Sequence, residues 1–124
     1  MIYWTVCGLH GIIEKGIILR EEKVSLMRMK VSDYIAQKLV DEGITDAFMV
    51  TGGGAMHLDD GLGHQPGLHC YFNHHEQACA IAAEAYARIH NKIAALCVTT
   101  GPGGTNAITG VVGGWLDSIP MLVL

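Results

Sequence analysis

One carboxylate stands at the head of a helix made almost entirely of small apolar residues. Residues 73–88 read Asn-His-His-Glu-Gln-Ala-Cys-Ala-Ile-Ala-Ala-Glu-Ala-Tyr-Ala-Arg, and Glu76 opens the run. A charged group set against an apolar wall is costly unless it has a partner or a task. Glu76 is therefore a candidate functional residue, and an apolar setting raises the pKa of such a carboxyl group. A plainer role stands beside it. Asn73-x-x-Glu76 has the form of a capping box, in which the carboxylate only satisfies backbone N–H groups. Two glycine-rich corners accompany it, Thr51-Gly52-Gly53-Gly54 and Gly101-Pro102-Gly103-Gly104. Glycine lets a backbone approach a ligand closely, and helix amino ends hold polar ligand atoms.

Other site chemistries fit less well. Gly52 and Gly54 give Gly-x-Gly, but the third position of a dinucleotide fingerprint holds His57. No Gly-Lys-Ser/Thr follows the second corner, so it is not a Walker loop. His75 and Cys79 are four apart on one helix face, with His69 and His74 nearby, but no established zinc spacing completes them. We expect no metal held by this chain. His57, His64 and His90 read as surface or helix-end residues.

These residues need elements that bring them together. Ser32 and Asp33 can cap a helix carrying Ile35, Ala36, Leu39 and Val40, and Gly43 ends it. Short apolar runs at 47–50, 68–72, 93–98 and 121–124 read as strands. Helices are expected over about 55–62, 76–90 and 102–113, the last with Pro102 in its first turn. Strand, glycine turn and helix in alternation predict an α/β fold, a parallel sheet with helices on both faces and right-handed crossovers. Ligands on such sheets sit at the carboxyl ends of strands, where both corners and Glu76 fall.

The totals agree with a single globular domain. The chain has 124 residues, half of them apolar, and a net charge of −4, which lacks the basic stripe of a nucleic-acid surface. No apolar run approaches the roughly 20 residues of a membrane span. Cys7, Cys70, Cys79 and Cys97 form no Cys-x-x-Cys pair and read as free thiols of a cytoplasmic protein. Residues 1–28 lack the regular pattern found from Met29 onward. They are expected to be an extension that adds little to the fold, while 29–124 form the domain.

His75-Glu76-Gln77 with Ala82-Ala83-Glu84-Ala85-Tyr86-Ala87-Arg88 resembles the pyrimidine-binding (Pyr) domain of thiamine-diphosphate enzymes. So does the run Val98 to Ala107 followed by Trp115-Leu116-Asp117-Ser118-Ile119-Pro120. The nearest group is the acetolactate synthase large subunits and their relatives, and the match covers Met29 to Leu124.

The resemblance implies a flavodoxin-like three-layer fold. It implies that Glu76 hydrogen-bonds N1′ of the cofactor's aminopyrimidine and helps move the proton of thiazolium C2. A 2-keto acid substrate is then decarboxylated, and its remainder joined to an acceptor. Thr51 and Gly52 match the loop over the pyrimidine, and Thr99, Gly103 and Asn106 match the turn that lines it. Here Thr51 stands for the family's proline and Val50 for the tyrosine before it. The resemblance also implies a homodimer or tetramer formed through Pyr domains, and it leaves room for a flavin in the parent enzyme. The family's pyrophosphate-binding (PP) domain, which supplies magnesium and holds the diphosphate, has a Gly-Asp-Gly signature that does not occur here. The chain is thus expected to be a truncated Pyr domain, inactive alone. The other readings are a non-catalytic or split module that pairs with a separate PP subunit, and a related 2-keto acid decarboxylase or keto-sugar acyl-transferring enzyme.

Overall fold

The computed structural model describes residues 28–124. The expectation for the amino-terminal extension lies, up to position 27, outside the described residues. Helices and strands alternate as α1 (Val31–Asp41), β1 (Asp46–Met49), α2 (Met56–His64), β2 (His69–Phe72), α3 (Glu76–His90), β3 (Ala94–Cys97), α4 (Pro102–Leu116) and β4 (Met121–Val123). All strand pairs are parallel, in the order β2-β1-β3-β4. Met49 lies beside Phe72 on one side and Cys97 on the other. The chain moves outward from β1 in both directions, so a switch point falls between β1 and β3. Open α/β sheets bind their ligands at such a point.

The period of two along each strand separates two cores. Ala47, Met49, Ala95 and Cys97 face Ala36 and Leu39 of α1 and Leu62 of α2. Phe48, Val50, Leu96 and Val98 face the other way, onto Cys79 and Ala80 of α3 and Ala107 of α4. Every residue of β3 is buried, as expected for a central strand covered on both faces. The three-layer α/β arrangement expected from the alternation is present.

Two local expectations change. Ser32 does not cap α1. The cap residue is Lys30, without a side-chain bond, and Ser32 is buried inside the first turn. It serves there as a small contact, because a Cβ on Gly61 of α2 would fall 2.9 Å from the Ser32 carbonyl. Gly43 does end the helix, at φ 80°, a left-handed conformation that glycine adopts without strain. Helix α4 runs three residues past Gly113. Gly113 and Gly114 read as a stop in sequence, but they are packing positions. A Cβ on Gly113 would lie 3.2 Å from Glu84 Oε2, and one on Gly114 would lie 2.8 Å from Met121 Cε.

Helices α3 and α4 pack closely through small residues. Ala80, Ala83 and Ala87 of α3, with Ala107, Gly110 and Gly114 of α4, are all buried. At the far end of α3, the Arg88 guanidinium donates to Glu84 and to Asp117, tying α3 to the end of α4.

A Cβ on Gly110 would sit 2.5 Å from Ala80 Cβ and 2.8 Å from the Ile81 backbone nitrogen. Gly110→Ala should therefore force the helices apart, cost about 1–3 kcal/mol and lower Tm by several degrees. Gly104→Ala is the control, since its Cβ would meet only the Thr99 carbonyl, at 3.9 Å. It should hold Tm or raise it through helix propensity. Equal Tm values for both variants in a thermal melt would contradict this packing.

Candidate functional site

Because the strands are parallel, the segments that follow β1, β2 and β3 emerge at one edge. They carry the first glycine corner, Glu76 and the second glycine corner. The first corner is a turn closed by the Ala55 N–H donating to the Gly52 carbonyl at 3.0 Å. The second begins at Gly101, whose φ of 69° and ψ of −122° are accessible to glycine and strained for other residues. Pro102 then opens α4, where its missing N–H is of no consequence.

Thr99 lies between the corners. Its Oγ1 accepts the Gly54 N–H at 3.1 Å. A Cβ on Gly52 would fall 2.4 Å from Thr99 Cβ, and one on Gly103 would fall 2.8 Å from Thr99 Cγ2. Gly54 is similarly restricted, 2.6 Å from Thr100 Oγ1. The glycines thus let the corners approach each other, which is a more specific reason than ligand approach alone.

Glu76 is the first residue of α3 and is half-buried. It is not half of a capping box with Asn73. The cap is His75, whose Nδ1 accepts the Gln77 N–H at 3.1 Å. The Asn73 amide donates instead to the Cys79 sulfur at 3.4 Å. The Glu76 carboxylate turns to the second corner, where Oε2 accepts from Asn106 Nδ2 at 3.0 Å. Its Oε1 lies 3.4 Å from the place a Cβ on Gly103 would occupy. Glu76, Gly103 and Asn106 therefore meet, and Thr99 joins them to Gly52. Thr51 is exposed on the first corner.

The expected rise in the Glu76 pKa is not found. The Asn106 amide, and next the residue's own N–H, hold the carboxyl below its ordinary range, and burial opposes them only weakly. The carboxylate sits at an open mouth, where hydrogen bonds to the charged form outweigh desolvation.

Sequence reasoning missed Asp59. It is half-buried in the first turn of α2, and its Oδ2 accepts the Gly52 N–H at 3.2 Å. An acid in the first helical turn after a glycine corner was the available signal. The weighed metal ligands are otherwise engaged, His75 as the cap and Cys79 with Asn73. Among the described residues no group of three or more His, Cys, Asp or Glu side chains is placed to hold a metal.

Removing the Asn106 donor should raise the Glu76 pKa. The stability linked to the depressed value is present above the unfolded glutamate pKa and is lost as pH falls through the folded one. Asn106→Ala should move that loss to higher pH. Carbon-detected NMR titration of the Glu76 carboxyl checks it, and an unchanged midpoint would refute the assigned cause.

Residues 29–124 match the family model described as thiamine pyrophosphate enzyme, N-terminal TPP binding domain. The acetolactate synthase large subunit of Haemophilus influenzae is 34% identical over 99 residues, covering 80% of this chain and 17% of that protein. The large subunit from Buchnera aphidicola of Schizaphis graminum is 39% identical over 93 residues, 75% of this chain and 16% of the relative. The isozyme 3 large subunit of Escherichia coli is 36% identical over 93 residues, with the same coverage. The chain thus spans about one sixth of the length of these relatives. Its residues fit one part of the cofactor. A carboxylate beside glycine backbone suits an aminopyrimidine, whereas residues 49–87 and 93–124 contain no lysine or arginine to hold a diphosphate. With the parallel sheet, the paired glycine corners and the acid between them in place, this chain belongs to the N-terminal TPP-binding domain family of thiamine pyrophosphate enzymes.

Proposed function

We propose that this chain is the pyrimidine-binding part of an acetolactate synthase-like enzyme that decarboxylates a 2-keto acid and joins the remainder to an acceptor. The observation that carries the proposal is the position of Glu76. Its carboxylate is held by Asn106 beside Gly103, at the carboxyl edge of the parallel sheet.

Thiamine diphosphate, when bound, supplies the electron sink on which a 2-keto acid loses carbon dioxide. The chain's own residues have narrower tasks. Glu76 bonds the pyrimidine ring nitrogen N1′ and passes a proton to and from it. Asn106 fixes the direction of that carboxylate. Gly52 and Gly103 offer flat backbone walls to the ring, with Thr99 setting their separation and Thr51 at the rim. Half-buried Val50 and Val98 supply the apolar backing that limits water.

The diphosphate, its magnesium and any flavin fall to other parts of the enzyme, a PP domain above all. This chain by itself should then be inactive, whether its PP domain is covalently joined or belongs to a partner. The exposed outer face of α3 and α4 presents Ile81, Ile108, Val112 and Trp115, an apolar surface suited to pairing with a second Pyr domain. The free thiols Cys70, Cys79 and Cys97 suit a reducing cytoplasm.

Titration of the isotope-labelled chain with thiamine should shift the amides of Gly52, Thr99, Gly103 and Asn106. Glu76→Ala should weaken that binding roughly tenfold to a hundredfold, the effect of losing a hydrogen bond to a charged group. In an enzyme that contains this domain and a PP domain, Glu76→Gln should slow hydrogen exchange at thiazolium C2 about a hundredfold or more. Shifts confined to other residues, or exchange at the unmodified rate, would overturn the role given to Glu76.

A further inference from the structure

Asp59 has no place in the chemistry described above, yet it is bonded both to the corner that follows β1 and to the end of β3. Its Oδ2 accepts the Gly52 N–H at 3.2 Å, and its Oδ1 accepts from the Cys97 thiol at a sulfur distance of 3.9 Å. Gly52 follows β1, and Cys97 is the last residue of β3, two positions before Thr99. The Cys97 thiol is fully buried, and burial first, then Asp59, push its pKa to about 12. It therefore keeps its proton at neutral pH and serves as a donor.

A plain helix-dipole role for an acid in the first turn of α2 does not account for this geometry. The carboxylate reaches back past the helix start to Gly52, outside α2. The first corner is consequently held at two points. Asp59 accepts the Gly52 N–H from beneath, and Thr99 accepts the Gly54 N–H from the side. The two bonds are of similar length, 3.2 Å and 3.1 Å, so each holds one peptide of the corner.

We propose that Asp59 is a positioning residue of the pyrimidine site: it holds the Gly52 peptide against Thr99, and through Thr99 and Gly103 it sets the wall beside Glu76. This inference rests on the pyrimidine-binding reading of the same edge. Asp59 touches no reacting atom and acts through the backbone it anchors.

The test uses the full 124-residue chain with Asp59→Ala and Asp59→Asn. Amide hydrogen exchange is read at Gly52 and, as reference, at Leu96 within β3. Thiamine is the binding probe, followed by amide shifts. Asp59→Ala should speed Gly52 exchange roughly tenfold or more relative to Leu96 and weaken thiamine binding by a similar factor. Asp59→Asn keeps an acceptor oxygen and should recover most of both.

Gly52 exchange that does not change, or that rises only in step with Leu96, would overturn the proposal. So would thiamine binding that is the same in wild type and Asp59→Ala. If the wild-type chain binds no thiamine, the proposed function of this chain fails instead, and the Gly52 to Leu96 ratio still decides whether Asp59 holds the corner.

Discussion

Two glycine-rich turns close on one threonine. Everything at the functional edge depends on that contact. Thr99 occupies the space that side chains on Gly52 and Gly103 would need, and its hydroxyl takes the Gly54 N–H. The sheet makes the contact possible. Strands β1 and β3 are neighbours in register, with Met49 beside Cys97, and the ladder continues with Val50 N–H to the Cys97 carbonyl. The corners therefore leave the sheet side by side. Close packing leaves no slack at such a point, so a displacement of one corner is passed to the other and to the carboxylate beside it.

The state of Glu76 follows from a balance of two environmental effects. Hydrogen bonds from Asn106 and its own N–H favour the ionised form, while removal from water favours the neutral one. In the chain alone the first effect wins, because the mouth is open on one side. A surface laid across the mouth would leave the hydrogen bonds in place and add desolvation, which raises a carboxyl pKa. Ile108 and Trp115 of α4 are about half exposed. Enclosure would therefore raise the Glu76 pKa from the lowered value it has in the uncovered chain.

The fold was largely legible in the sequence, because its signals are local. Apolar runs bounded by glycine turns mark the strands, and Gly43 stops α1 as expected. The errors arose where a small residue had a tertiary duty. Ser32 looks like a cap but is a contact for Gly61, and Gly113-Gly114 looks like a stop but lets Glu84 and Met121 approach α4. Site legibility divided in the same way. The meeting of Glu76 with the second corner could be expected from the edge on which each falls. The capping assignment failed because His75, one residue earlier, supplies the cap. Asp59 was missed because its role depends on reaching back seven residues to Gly52, which no periodic pattern reports. The direction of the Glu76 pKa depends on one amide thirty residues away in sequence, and composition carries no trace of it.

Helix α3 explains why a long run of similar residues can serve two purposes. Its amino end holds Glu76 at the chemical edge. Its carboxyl end holds Glu84 and Arg88, and Arg88 extends to Asp117 beyond α4. Between them, Ala80, Ala83 and Ala87 are buried, so the helix lies tightly against α4 and the sheet. An exposed ion pair contributes little to stability by itself. Here its value is geometric, since Arg88 joins the far ends of two helices whose near ends carry Glu76 and Asn106. Small residues hold the helices at contact distance, and the ion pair resists sliding along that contact. Both bear on the register of two helices whose side chains meet at 3.0 Å at the opposite end. The alanine run and the Glu84-Arg88-Asp117 link are therefore part of the same positioning problem as the Glu76 carboxylate, solved one helix length away from it.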